Sequence, residues 1–109
     1  MPEQRHPIEV TLRASIDAIR AVTGETFTDV GAAIGLSVAL VGRRQRGVTP
    51  WAVAELGRLA EHWEIPPCSL ISSPADALAE LPQWRVNELR RGRGLAPYPT
   101  MPATASVAA

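Results

Sequence analysis

Between Thr26 and Arg46 the chain reads TFTDVGAAIGLSVALVGRRQR, and no other stretch limits the fold as tightly. Two short apolar-periodic segments are divided by Gly35, which can take the left-handed conformation because it has no Cβ to clash. Thr26 is a good N-cap, and Asp29, three residues on, stands where a capping box puts its acidic partner. Val30 and Ile34 share one helical face, while Gly31, Ala32 and Ala33 keep that helix thin. Leu36 then turns inward, and Ser37 is a fresh N-cap for a helix running through Val41 to about Gln45. Helix, glycine turn, cap, helix is the layout of a helix-turn-helix.

The rest of the chain extends this helical theme. At 109 residues there is room for one small domain. Aromatic residues make up only 5% of the chain against 46% hydrophobic, so helical packing of small side chains is expected. No sustained alternation of β-branched residues supports a strand. The spacing predicts an all-α fold. Residues 1–7, with two prolines, form an irregular arm. Ile8, Leu12, Ile16 and Ile19 make one apolar stripe on a first helix from Ile8 to Val22, closed by Gly24. The second helix runs from Thr26 or Phe27 to about Ala33. Thr49 as N-cap and Pro50 in the first turn open a fourth helix reaching about Trp63, with Val53, Leu56, Leu59 or Ala60, and Trp63 on its core face. Pro67 starts a short fifth helix through Ile71. Ser72-Ser73-Pro74 reads as a boundary, so the five-helix domain is placed at 8–72. Residues 73–94 follow as an extension, helical from Asp76 to Leu81 and from Gln83 to Arg91, with Trp84 and Leu89 exposed or docked. Residues 95–109 are expected to be a disordered tail.

A net charge of zero hides an uneven distribution. Arg43, Arg44 and Arg46 form one basic island, and Arg85, Arg90, Arg91 and Arg93 against Glu88 form a second. Such islands on an acidic background give a local positive surface without a basic pI; solvated helix faces are the plainer alternative for the second. The one cysteine, Cys68, cannot form an intrachain disulfide and suits a reducing cytoplasm. No apolar run is long enough to cross a membrane. His6 and His62 are far apart and lack ligand spacing with Cys68, so both are expected at the surface and no metal is expected. No catalytic residues, cofactor or small-molecule substrate are implied, since no paired-carboxylate, Cys/His, Ser/His or phosphate-cradling glycine arrangement is present.

The residues Val30, Gly31, Ile34, Gly35, Leu36, Ser37 and Val41 resemble, at their spacing, the phage-repressor (Cro/CI, XRE) family of DNA-binding domains. The following run RRQRGVTPWAVAELGRLAEHWEIPPCSLI looks like that family's last two helices, and is similar to actinobacterial and mycobacteriophage immunity repressors. The resemblance implies a recognition helix at 37–46 in the major groove, with Ser37, Val38, Ala39, Gly42 and Arg43 facing bases. Val38 and Ala39 can pack against thymine methyls, and Arg43 can make a bidentate contact to guanine. Gly42 would allow close approach of the helix to the duplex. Thr26, Thr28, Arg44, Arg46 and Thr49 become phosphate contacts. Phe27 stands where the family often has a glutamine and is expected to pack inward. Glu64 stands where it often has a glycine. Trp51 is expected to seal the third helix to the fourth.

Arg90-Arg91-Gly92-Arg93-Gly94 resembles the arginine-glycine-arginine core of AT-hook segments, giving Arg90, Arg91 and Arg93 as a candidate minor-groove arm. The extension has two other readings, a dimerisation helix or added support for the core. The functional expectation is a sequence-specific regulator of double-stranded DNA, acting as a repressor in the bacterial cytoplasm. A homodimer on two half-sites is the arrangement such short recognition helices usually need. The alternative is a protein-interaction module, such as an antitoxin or phage accessory factor, that uses Val38 and Leu40.

Overall fold

The computed structural model describes residues 7–99, and every regular element among them is a helix. α1 spans Pro7–Thr23, α2 Phe27–Ile34, α3 Val38–Gln45, α4 Val53–Trp63, α5 Pro67–Ser72, α6 Pro74–Glu80 and α7 Gln83–Gly92. The all-α expectation holds for the described residues, which form seven helices, α6 and α7 lying in the segment expected as an extension. Of the expected arm at 1–7, only Pro7 is described, and it opens α1. Arg5, His6 and the expected tail from Thr100 onward lie outside the described residues.

Local signals fix most of the helix ends. Thr26 Oγ1 accepts the Asp29 backbone N–H while Asp29 Oδ2 accepts the Thr26 N–H, closing the capping box at 3.2 and 2.8 Å. Ser37 Oγ accepts the Leu40 N–H at 3.2 Å, and Ser73 Oγ accepts the Asp76 N–H at 2.9 Å. A cap of this kind contributes about 1 kcal/mol. Between α2 and α3, Gly35 has φ 82°, and its N–H and that of Leu36 both reach the Gly31 carbonyl, at 2.8 and 2.9 Å. The chain thus reverses within three residues. Gly31 is buried in the crook of the turn, where an added Cβ would press on the Leu36 carbonyl oxygen and stand 3.3 Å from Val41 Cγ2.

α4 begins three residues later than the Thr49-Pro50 pair suggests. The Ala52 N–H is satisfied by Glu55 Oε1 at 2.9 Å, so the helix starts where that carboxylate can reach. Val53 therefore sits in the first turn and is 86% exposed, against the expectation that it faces the core. At the other end, Glu64 takes the left-handed conformation with φ 61°, which costs about 1–2 kcal/mol for a residue with a Cβ. The closing bond from the Ile65 N–H to the Ala60 carbonyl, 3.0 Å, and burial of the Ile65 side chain hold it there.

α1 is the central element and packs against α5, α6 and α7, while α2 packs against α3 and α4, and α4 against α5. Leu12, Ile16, Ile19 and Val22 of α1 are buried, but Ile8, the expected start of the stripe, is exposed in the first turn. Val30, Ile34, Val41, Leu59, Ala60, Trp63, Ile65 and Leu70 join them in the core. So do Ala77, Leu81 and Val86 from the segment that the sequence sets apart as an extension. Leu89 docks on the same core and Trp84 is exposed. Leu95 and Tyr98, expected in a disordered tail, are also placed: Leu95 lies against Gly24, and Tyr98 packs on the core.

Candidate nucleic-acid interface

α3 presents a mixed outer face. Val41 is fully buried and sets which side is inward. Ser37, Val38, Ala39, Leu40, Arg43 and Arg46 are all exposed, and neither arginine side chain has an ion pair or hydrogen bond among the described residues. Val38 is 51% and Leu40 37% exposed, so the apolar part of this face is open as well. Ser37 keeps its place beside this face, though its oxygen is engaged as the α3 cap.

Gly42 does not belong to that face. It is buried, and a Cβ built on it would meet the Arg46 guanidinium at 3.0 Å and the Phe27 ring at 3.9 Å. Its bare backbone gives room to Arg46 and α2 rather than to a groove. Phe27 is half-buried as expected, with the Arg20 guanidinium 4.2 Å above its ring, a cation–π geometry.

Arg44 is likewise removed from the set of free phosphate contacts. Its Nε and Nη2 donate to Glu55 Oε1 and Oε2 at 2.8 and 2.9 Å, a bidentate pair with a carboxylate that is only 6% exposed. The Arg44 guanidinium, with the Ala52 N–H assisting, holds the Glu55 carboxyl below its usual pKa despite burial. Arg44 thus ties α3 to the start of α4. Gln45 completes the brace. Its Nε2 donates to the Arg13 carbonyl at 3.1 Å and to Asp17 Oδ1 at 3.0 Å, while its Oε1 accepts the Trp51 indole N–H at 2.9 Å. Trp51 is therefore in the packing role foreseen for it.

At the start of α2, the Thr26 hydroxyl both accepts from the Asp29 N–H and donates to Asp29 Oδ2, so it is already committed as a cap. Thr28 is exposed and Thr49 half-buried, and both side chains stand free of hydrogen bonds among the described residues. The Thr26 N–H lowers the Asp29 pKa, and the nearby Arg93 charge adds to this.

The arginine-glycine segment is not an arm. Arg90 and Arg91 lie within α7, and Arg93 is its C-cap. Arg90 Nη1 donates to the Val22 carbonyl at 2.9 Å and its Nε to the Ala96 carbonyl at 2.6 Å. Arg93 Nη1 pairs with Asp29 Oδ2 at 2.5 Å. Arg91 is exposed with no ion pair among the described residues.

Behind α2 lies a polar core that has no signature in the sequence. Glu25, 5% exposed, accepts from Thr23 Oγ1 and from the Trp63 indole, both at 2.8 Å, and pairs with His62 Nε2 at 2.6 Å. Burial pushes the Glu25 carboxyl up, but the bonds from His62, Trp63 and Thr23 outweigh it and hold it below its ordinary value. His62, expected at the surface, is instead wedged between this carboxylate and Arg85, whose Nε donates to the His62 carbonyl at 2.8 Å. No local pattern announces this arrangement, because His62 and Trp63 lie 37 and 38 residues from the Glu25 that they bond, and Arg85 a further 23 from His62.

Among the described residues no group of three or more His, Cys, Asp or Glu could hold a metal ion, and no helix is long and apolar enough to cross a membrane. Cys68 is a free, exposed thiol. No curated protein and no solved structure matches the chain. The BetR domain family model does match, over residues 5–98, which takes in every helix from α1 to α7. The chain belongs to the BetR domain family.

Proposed function

We propose that this protein is a sequence-specific regulator of double-stranded DNA, a repressor in its simplest form, with α2 and α3 as its helix-turn-helix. The observation that carries the reading is the outer face of α3, where Arg43 and Arg46 are exposed and unpaired while the third arginine of the cluster is neutralised by Glu55. A face built only for solubility has no need to spend its acid on one arginine and leave two open. The working base contacts are Ser37, Val38, Ala39 and Arg43, with Arg46, Thr28 and Thr49 for the backbone. Gly42, Arg44 and Thr26 act through the scaffold. One helix of this length reads about 4–6 base pairs, so a dimer on half-sites about 34–36 Å apart supplies the specificity.

The test is selection from random duplex DNA at a fixed salt of about 150 mM, followed by sequencing. An enriched inverted repeat supports the reading, and no enrichment sinks it. Within an enriched site, Arg43→Ala is expected to relax one base position by about 1–3 kcal/mol, whereas Arg46→Ala weakens all duplexes alike. Equal losses on cognate and random DNA for both variants would contradict that division.

The exposure of Val38 and Leu40 supports a second reading, a protein-interaction module that uses the same helix. Binding through phosphates weakens steeply with salt, and apolar protein binding does not, so a salt titration separates the two.

A further inference from the structure

The second basic island divides into three different jobs once its geometry is seen. Arg90 is a fastener: it reaches across to the Val22 carbonyl at the end of α1 and folds the Ala96 carbonyl back onto itself, with Tyr98 stacked 5.3 Å from its guanidinium. Leu95, whose N–H bonds the Arg90 carbonyl at 2.8 Å, lies against Gly24 in the loop between α1 and α2. Arg93 attaches to Asp29 in the first turn of α2. The end of α7 is thus pinned at separate points to the end of α1, the following loop and the first turn of α2.

That same first turn of α2 is met from its other sides by arginines of other elements. Arg20 of α1 covers the Phe27 ring, and the Arg46 guanidinium and that ring both flank Gly42, 3.0 and 3.9 Å from where a Cβ would stand. Guanidinium groups from α1 and the end of α7 thus meet the first turn of α2, with that of Arg46 beside Gly42 on the neighbouring α3. The acids there are Asp17, paired with Arg20 and hydrogen-bonded by Gln45, and Asp29, paired with Arg93. Arg91 and Arg46 carry charge that no acid among the described residues offsets. Of the charges named here these two stay unoffset, and α2, whose first turn holds Arg93 through Asp29, packs against α3.

We infer that the C-terminal turn of α7 is a fixed contact to the DNA phosphate backbone, in which Arg91 binds phosphate and Arg93 cancels the Asp29 charge that would otherwise repel it. This rests on the DNA-binding reading of α3. It replaces the swinging minor-groove arm with a docked one, since a segment pinned by Arg90, Leu95 and Arg93 cannot extend along a groove. Phosphate contacts of this kind position a protein on the duplex without reading its sequence.

The experiment measures binding of the full chain to its selected duplex and to a random duplex by fluorescence anisotropy between about 50 and 300 mM salt. Arg91→Gln is expected to lower the salt slope by roughly 0.9 and to weaken both duplexes about fivefold at 150 mM salt, the effect of one lost phosphate contact. Arg91→Lys restores both, because a phosphate contact needs only the charge. Arg93→Gln weakens both duplexes at least as much, and Arg93→Gln combined with Asp29→Asn recovers part of the loss. Thermal melts of each variant show whether the fold is kept. Wild-type binding with unaltered slope and affinity in Arg91→Gln overturns the inference while leaving the α3 reading intact. A loss confined to sites with A·T flanks overturns it in favour of a minor-groove contact. Wild-type protein with no salt-dependent duplex binding overturns both readings together.

Discussion

Gly31 and Gly42 each sit inside a short helix, where alanine is favoured by about 1 kcal/mol on propensity alone, yet their surroundings push in opposite directions. At Gly31 the obstacle is backbone: the Leu36 carbonyl cannot step aside without opening the turn that places α3. Gly31→Ala is expected to lower stability by about 1–3 kcal/mol. At Gly42 the nearest group is the far end of the Arg46 side chain, which is free to move. Gly42→Ala is expected to raise stability by up to about 1 kcal/mol, and thermal unfolding of the pair checks both signs. Shifts of the same sign and size would show that propensity, not crowding, governs the turn. The sequence marks both glycines as unusual within helices. What each makes room for is decided by Leu36 and Arg46 in space, and a linear pattern does not carry that.

The helices themselves were legible where a cap and its partner lie within a few residues. Thr26 with Asp29, Ser37, and Pro67 each mark a boundary that the structure keeps. Thr49-Pro50 offers an equally good local signal and loses, because Glu55 serves Ala52 and Arg44 at once and Trp51 is drawn inward to Gln45. The site followed the same rule. The exposure of Arg43 and Arg46 follows from helical spacing, while the capture of Arg44 by a carboxylate eleven residues away does not. The link between the loop before α2 and the end of α4 has a consequence for acid stability. Since the Glu25 pKa is lowered on folding, the unfolded chain binds the extra proton. Its contribution is complete above the ordinary glutamate range and is lost as pH falls through the lower native value. Glu25→Gln, which sets an amide N–H against His62, is expected to cost about 3 kcal/mol at neutral pH and to flatten the decline in acid. Urea denaturation from pH 7 to 3 reads both effects, and parallel curves for wild type and variant would remove Glu25 from the account.

On the scale of the molecule, Ser72-Ser73-Pro74 looks like a linker for the same reason that it works as a helix start: Ser73 caps α6 and Pro74 fills its first turn. Turn residues punctuate domains and helices alike, so composition alone leaves the two open. Burial decides between them. Ala77, Leu81 and Val86 face the core shared with α1, and fully burying a Leu or Val contributes about 1.5–3 kcal/mol each. A chain ending at Ser72 is therefore expected to lose its sharp thermal transition, and full retention of that transition by calorimetry would show α6 and α7 to be dispensable. The same arrangement matters before the protein is finished. A ribosome adding about 5–20 residues per second delivers α2 and α3 early, but Arg85, Val86, Arg90 and Arg93 emerge only afterwards. Until then the His62 carbonyl lacks its Arg85 donor, the Val22 carbonyl lacks Arg90, and Asp29 lacks Arg93. The nascent chain thus carries α2 and α3 for seconds before the groups that steady them exist, and the described fold gains its final electrostatic form only with α7.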